Sequence, residues 1–432
     1  MRQGTANAWR DGLKRACRYS DFLLFALSVP ASGPLLDLVG EDEGAIFHFQ
    51  PQNAPVSSSS DAKTRSSSGK TLAARAGMSE IGRCRKSDLV TFAATRRAVE
   101  DYCFAHNHLA ALFDEEGRAL STGHGVKASE LPYLVTGGVG TLRSTKAMQD
   151  RDLQNLRWSL PALSSGEIPL DDPAKRAARP EGAQARMIPV PIPPGRRGGI
   201  FNRMEGTTSR KVKLGRKLAQ QVEETIAANF GVLMPEYLRH LVPVREKMRP
   251  RVRQIIDAFV DKMRANTDPW ERRFAEKFGI VLAAAVLLAE FRLTPWTENA
   301  VARVYKRSRA ASASIDEATD NLIDRMKKLL RGGERFRVIK KGKSLPAGQA
   351  DRAWGYIRKL NDKRVILIPY PRMQRLINPS AITTPVLREL ARREILLKSD
   401  GKFTRQVMIK GLAGDKKPRY VCLLETEVLT SF

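Results

Sequence analysis

The stretch Ser66-Ser67-Ser68-Gly69-Lys70-Thr71 decides how this chain is read. It has the form of the end of a P-loop, a turn whose consecutive backbone N–H groups face inward around phosphate oxygens. In such a loop the lysine, here Lys70, reaches the β- and γ-phosphates, and the next hydroxyl, Thr71, holds Mg²⁺. The small residues Ser66, Ser67, Ser68 and Gly69 let the backbone come close. A helix is predicted to start near Gly69, so that its N-terminal dipole adds to the anion site. The full pattern carries another glycine at the position of Thr64, and a Cβ there resists left-handed geometry. A polar Ser/Lys linker is the plainer reading of the same residues.

Working outward, Ala45 to Phe49 is a short apolar strand. A strand normally runs directly into such a loop. Here Gln50 to Lys63, rich in Pro, Ser, Asn and Asp, intervenes and reads as a mobile loop. Downstream, Leu72 to Gly77 and residues 95–106 suit helices. Leu109 to Glu116 (LAALFDEE) then reads as a buried parallel strand tipped by carboxylates. That is where a P-loop ATPase places a second Mg²⁺-organising carboxylate, Asp114, and a water-activating one, Glu115, with Glu116 as substitute. A solvated acidic turn is the alternative. Glu130 to Val135 reads as helix, and Trp158 to Leu163 as a third strand weakened by Pro161. Ser165, at its polar tip, is placed to sense a γ-phosphate. Arg176, Arg179 and Arg186 precede a strand from Met187 to Ile192. Of these, Arg186 is the candidate to reach a neighbouring subunit's nucleotide. Pro189 through Gly199 reads as a linker-like break.

Composition narrows the partners. The 432 residues carry 74 Lys and Arg against 46 Asp and Glu, a formal net charge of +28. Such a surplus suits a polyanion, because Lys and Arg release the counterions condensed on phosphates; a merely basic soluble protein has the same balance. Four scattered cysteines with no CxxC pair argue against a zinc or disulfide framework and fit a reducing cytoplasm. The basic-then-apolar N-terminus superficially resembles a signal peptide, but Asp11 and Asp21 interrupt it. It reads as an amphipathic helix over 6–29 leading into the core, with a turn-rich connection from Gly33 to Gly40 and no membrane partner.

The second half is helical by period: Lys213 to Phe230, Pro243 to Arg264, Pro269 to Glu290, Trp296 to Tyr305 and Ser314 to Leu330. The last eighty or so residues alternate short elements. Arg352 to Lys359 reads as helix and Val365 to Ile368 as strand. Pro371 to Ile377 and Thr384 to Arg393 read as helices. Strands at Ile395 to Lys398, Phe403 to Ile409 and Tyr420 to Leu424 complete a winged-helix pattern. Arg388, Arg392, Arg393, Lys398, Lys402, Arg405 and Lys410 would line one phosphate-contacting face, although winged helices also serve protein contacts. The expected architecture is an α/β P-loop NTPase core (1–205, with an insertion at about 50–63), an α-helical bundle (206–335) and a winged-helix-like domain (336–432).

Several stretches together resemble the primase–helicase-type P-loop ATPases of phages and mobile elements, a family grouped as a domain of unknown function. They are LLFALSVPASGPLLDLVGEDEGAIFHF before the loop, SSSGKT, HNHLAALFDEEG, WSLPALSSGEIPL, KRAARPEGAQARMIPVPIP, and KSDGKFTRQVMIKGL in the tail. The resemblance implies a ring-forming, ATP- and Mg²⁺-dependent helicase or translocase acting on single-stranded or forked DNA, with a primase or other replication protein as partner. It also implies that this chain is a C-terminal portion. Arg143 and Lys146, between the second and third strands, would belong to a moving strand-binding loop. The alternative is a non-catalytic DNA-binding protein on a degenerate ATPase scaffold, and DNA is not distinguished from RNA.

Overall fold

Five parallel strands lie at the centre of the first half: β1 (Ile46–Pro51), β2 (Val90–Thr91), β3 (Ala111–Asp114), β4 (Ala162–Ser165) and β5 (Met187–Ile192). Their spatial order is β2-β3-β4-β1-β5, and every neighbouring pair is parallel. All five C-terminal tips therefore share one edge, and β4 lies between β1 and β3. The computed structural model describes residues 1–52, 68–91, 94–114, 126, 130–141, 156–166, 185–266, 268–294, 299–312, 315–332, 336–339, 353–360, 362–377, 383–398, 402–407 and 419–430. The Gln50–Lys63 insertion thus falls outside the described residues from position 53 onward. Two compact units result, Met1–Gln52 with Val56–Ser312 and, separately, Ala313–Phe432.

The helices of the first unit are α1 (Ala6–Arg18), α2 (Asp21–Leu38), α3 (Lys70–Met78), α4 (Arg96–Ala105), α5 (Leu131–Thr136), α6 (Thr208–Ala228), α7 (Leu233–Leu241), α8 (Arg245–Met263), α9 (Pro269–Glu290) and α10 (Asn299–Ser312). Side-chain oxygens cap many of them: Thr5, Ser20, Thr95, Thr207 and Asp268 each accept from backbone N–H groups of the first turn, satisfying donors that a helix start leaves orphaned. Strand periodicity of two sorts the sheet's side chains. Phe47, Phe49, Leu112, Leu163 and Val190 join one core with α2 and α9. Ile46, Ala111, Phe113, Ala162 and Met187 join a second with α4 and α5. At the first core's centre, the Phe47 ring lies 5.0 Å from Phe25 and 5.3 Å from Phe278, edge-on to both, a favoured arrangement for aromatic quadrupoles.

The N-terminal reading needs correction. Two helices occupy the region, and α2 runs through Gly33 to Leu38 where a turn-rich connection is expected. Its prolines, Pro30 and Pro34, should each break an intrahelical bond. Gly77 of α3 passes close to Ala26 C=O, the carbonyl that Pro30 leaves without its helical donor: a Cβ at Gly77 would lie 2.3 Å from it. By length and composition α2 could cross a bilayer, yet here α3, α9 and α10 pack around it. Pro189 and Pro191, expected to form part of a break, sit inside β5. They are tolerated because β5 is the sheet's edge strand.

The second unit contains a sheet ordered β6-β7-β8-β10-β9, from β6 (Phe336–Val338), β7 (Gly355–Leu360), β8 (Lys363–Pro369), β9 (Arg405–Gln406) and β10 (Arg419–Leu424). Its helices are α11 (Ile315–Arg331), α12 (Tyr370–Leu376), α13 (Thr383–Arg392) and α14 (Glu425–Thr430). A helix over Arg352 to Lys359 is overturned: β7 occupies that stretch and pairs antiparallel with β8. Tyr356 packs into one face's core and Ile357 into the other's, so successive residues are buried on opposite sides, as only a strand allows. The strand at Ile395 to Lys398 reduces to a single bridge, Leu396 to Leu423. The three-domain division also shifts. Helices α6 to α10 share the first unit with the parallel sheet, and α11 belongs to the second.

Candidate functional site

α3 starts at Lys70, immediately after Gly69, whose φ of +85° is left-handed. Gly69 has no Cβ, so it adopts that turn at low cost; a Cβ there would fall 2.9 Å from the Ile200 side chain. The turn is braced from behind. Ile200 N–H donates to Ser68 C=O at 2.9 Å, and Ser20 Oγ, the α2 cap, donates to Ile200 C=O at 2.6 Å. Lys70 is only 6% exposed, and its Nζ donates to Ser68 Oγ at 3.3 Å. An ammonium is thus held beside the amino end of a helix, where the backbone N–H groups of the first turn point outward.

One residue further, Thr71 faces two strand tips. Its Oγ1 donates to Asp114 Oδ1 at 3.4 Å and lies 3.0 Å from Ser165 Oγ. Ser165 Oγ in turn donates to the same Asp114 oxygen. The parallel register explains the convergence. Asp114 ends β3 and Ser165 ends β4, next to β1 whose chain leads toward α3. Three residues separated by 43 and 94 positions in sequence therefore meet at one point on the carboxyl edge of the sheet.

α3 is also tied to α6. Arg75 donates to the Glu223 carboxylate at 2.7 and 2.9 Å and to Cys84 C=O at 2.9 Å. Burial pushes the Cys84 thiol up to about 12, so it stays protonated. At the end of α3, burial likewise raises the Glu80 carboxyl well above its ordinary range. Neither Glu80 oxygen has a hydrogen-bond partner among the described residues.

Other residues singled out by sequence lie elsewhere. Arg186 is at the opposite, amino edge of the sheet. Its guanidinium donates to Glu43 at 2.8 Å and stacks 4.9 Å from the centre of the Tyr133 ring. Ser165 aligns with Phe49 and Val190, four residues up the ladder from Arg186, or about 13 Å at the rise of a strand. Arg186 does not touch the Lys70, Thr71, Asp114 and Ser165 cluster of this chain. Ser66, Ser67, Glu115, Glu116, Arg143, Lys146, Arg176, Arg179 and Lys410 lie outside the described residues. In the second unit, Arg393 is engaged by Glu389, Asp316 and Asp320, and Arg392 by Glu389. Hydrogen bonds from Arg392 lower the Glu389 carboxyl to about 2. Arg388, Lys402 and Arg405 are exposed.

Sequence reading missed the segment that braces the cradle. Gly195 to Gly199 reads as linker, yet with Ile200 it closes one side of a cleft of about 360 Å³ that begins at Ser68 and Gly69 and ends against α6. The signal available was the Gly-Arg-Arg-Gly-Gly run, since clustered glycines mark close backbone approach as well as linkers.

The class that fold and site define is an α/β protein with a parallel sheet, its polar cluster on the carboxyl edge beside a lysine-headed helix, and helical regions packed around it. Comparison with known proteins adds two findings. Residues 1–154 match the family model described as "Domain of unknown function (DUF927)". A solved structure described as "SCCmec type IV Cch - active helicase" is similar at a TM-score of 0.53 and 17% identity, over 99% of this chain and 72% of that one. No curated protein matches.

Proposed function

We propose that the chain is a nucleotide-driven motor of the helicase or translocase kind, acting on DNA in the replication of a mobile element. The observation that carries this is the meeting of Thr71, Asp114 and Ser165 in front of Lys70 and the amino end of α3. Backbone N–H groups of the 66–71 turn would receive the phosphates, and Lys70 would sit against the β/γ oxygens. The donor set suits Mg²⁺: the Thr71 hydroxyl and the Asp114 carboxylate, both oxygen, with remaining positions left to water and phosphate. When bound, that ion would neutralise charge on the phosphates. Asp114 and Thr71 would hold it, Ser165 would fix the Asp114 carboxylate, and Glu115 would orient the attacking water.

The fold likeness to a protein described as an active helicase and the net charge of +28 support a nucleic-acid partner. In the winged-helix-like second unit, the exposed Arg388, Lys402 and Arg405 are the phosphate contacts. Arg392 and Arg393, whose charge is spent on neighbouring acids, contribute less. Arg186 could serve only a neighbouring subunit's nucleotide, and would have to leave Glu43 to do so; this is the arrangement of a homo-oligomeric ring.

The test is DNA-stimulated ATP hydrolysis with Mg²⁺, comparing the parent with Lys70→Ala. Hydrolysis by the parent that is lost in Lys70→Ala, with DNA affinity retained, is the expected result. DNA binding by a parent that neither binds nor hydrolyses nucleotide would establish a non-catalytic scaffold instead.

A further inference from the structure

The cleft beside Gly69 has chemistry of its own. It opens from the phosphate cradle, since Ser68 and Gly69 form one end of its wall. At about 360 Å³ it lies within the range of small-ligand sites. Its floor is apolar: Ile200 and Phe201 on one side, Val212 and Ala219 of α6 on the other. Gly215 lies between the two α6 residues and leaves the space open. Arg196, Lys211 and Arg216 supply the charge. Two apolar walls with a cationic rim, continuous with a triphosphate cradle, have the shape and polarity of a nucleoside site.

The side chains of this wall are unusual in one respect. Among the described lining residues there is no Asp, Glu, Asn or Gln. The only side-chain oxygen is Ser68 Oγ, which already accepts from Lys70 Nζ. The remaining polar side chains, Arg and Lys, donate and cannot accept. Adenine presents a donor, its N6 amino group, next to the N7 acceptor. Guanine presents two acceptors, O6 and N7, the pair that Arg and Lys engage best. Among the described lining side chains, donors outnumber the single hydroxyl acceptor, an environment that does not favour adenine over guanine. Strong rejection of a base requires a polar group that would be left unpaired by the wrong one.

We infer that this cleft receives the base and sugar of the nucleotide and accepts a guanine nucleotide at least as well as an adenine nucleotide. The inference rests on the proposed nucleotide cradle. The experiment separates the two by using three probes on the full chain: inorganic triphosphate, ATP and GTP, each with Mg²⁺, read by calorimetry. The parent should bind GTP within about threefold of ATP, or more tightly. Gly215→Trp directs bulk into the cleft; at this position a Cβ makes only ordinary contacts, 3.5 Å from Met204 and 3.8 Å from Phe201. That variant should lose about tenfold or more in affinity for both nucleotides while keeping inorganic triphosphate within about twofold of the parent. Lys211→Ala with Arg216→Ala, which creates no bulk and guards against a folding failure of the first variant, should weaken GTP more than ATP. A parent that binds ATP at least tenfold tighter than GTP overturns the inference about the base, as does undiminished nucleotide binding by Gly215→Trp. Both leave the cradle intact. Failure of all three probes to bind the parent would instead remove the cradle, and this inference with it.

Discussion

Replacing Gly69 by alanine tests the cradle's construction directly. Two costs are legible. With φ at +85°, an L-residue pays about 1–2 kcal/mol to enter the left-handed region. The new methyl would also lie 2.9 and 3.0 Å from Ile200 Cγ1 and Cδ1, and Ile200 is buried. Overpacking of a buried site typically costs about 1–3 kcal/mol. Against this, alanine narrows the unfolded ensemble and returns about 0.4–1 kcal/mol. A net loss of about 2–3 kcal/mol follows, which for a unit of this size lowers the melting temperature by roughly 3–5 °C. The first unit supplies its own control. Gly40 has φ +68° and nothing within 4 Å of its absent Cβ, so Gly40→Ala pays the backbone term alone. Thermal unfolding without nucleotide should therefore rank Gly69→Ala well below Gly40→Ala, and Ile200→Ala in the Gly69→Ala background should recover part of the difference. Equal melting temperatures for the two glycine variants, with triphosphate affinity preserved, would refute the close packing of the turn on Ile200.

Further outcomes follow from other sites. Asp114→Asn should abolish the Mg²⁺-dependent part of nucleotide-induced thermal stabilisation, because it removes the sole carboxylate facing Thr71 among the described residues; titration with and without the ion reads this. Glu80 has its folded carboxyl raised by burial. Its contribution to stability is full below the ordinary value of 4.5 and is lost as pH rises above it, because the unfolded chain ionises first. Glu80→Gln should accordingly raise the urea midpoint at neutral pH and lose that advantage in acid. Phe47→Ala, which empties the centre of an aromatic cluster, should cost about 3–5 kcal/mol. In the second unit, Arg393→Ala should cost about 1 kcal/mol or less of stability, since its acidic partners Asp316 and Asp320 are mostly exposed. Lys402→Ala or Arg405→Ala should leave stability unchanged and each lower the salt slope of DNA binding by about one.

How much of the site could be read beforehand depended on whether its chemistry was local. Lys70 and Thr71 could be singled out together because the pattern that resembles a P-loop end is contiguous. Asp114 and Ser165 were legible as polar tips of apolar strands. Their meeting with Thr71 depends on β4 inserting between β1 and β3, which spacing cannot disclose. The brace from Ile200 to Ser68 was invisible for the opposite reason. It is a backbone-to-backbone bond whose partners carry no marker except glycines, and glycines mark linkers equally well. The tail failed by period: over six residues, Gly355–Leu360, apolar spacing fits strand and helix alike.

The boundary expected near residue 205 is instructive, because helical periodicity takes over there. Helices α6 to α10 carry helical periodicity and look self-sufficient. Their apolar stripes pack on one another, as where Phe259 of α8 meets Tyr305 of α10, but do not stop there. Phe278 of α9 completes the ring cluster with Phe25 and Phe47, Arg303 of α10 pairs with the buried Asp21 at the head of α2, and Glu223 of α6 holds Arg75 of the cradle helix. A domain cut at 205 would expose the sheet's apolar face, take Arg303 from Asp21, which would keep Asn202, and leave the Arg75 guanidinium with the Cys84 carbonyl but without the Glu223 carboxylate. Leaving one member of such a buried pair uncompensated is strongly destabilising. The helices after β5 are therefore one half of the layer that covers the parallel sheet. A fragment ending near 205 should fail to fold cooperatively, whereas one ending at Ser312 should retain a single unfolding transition.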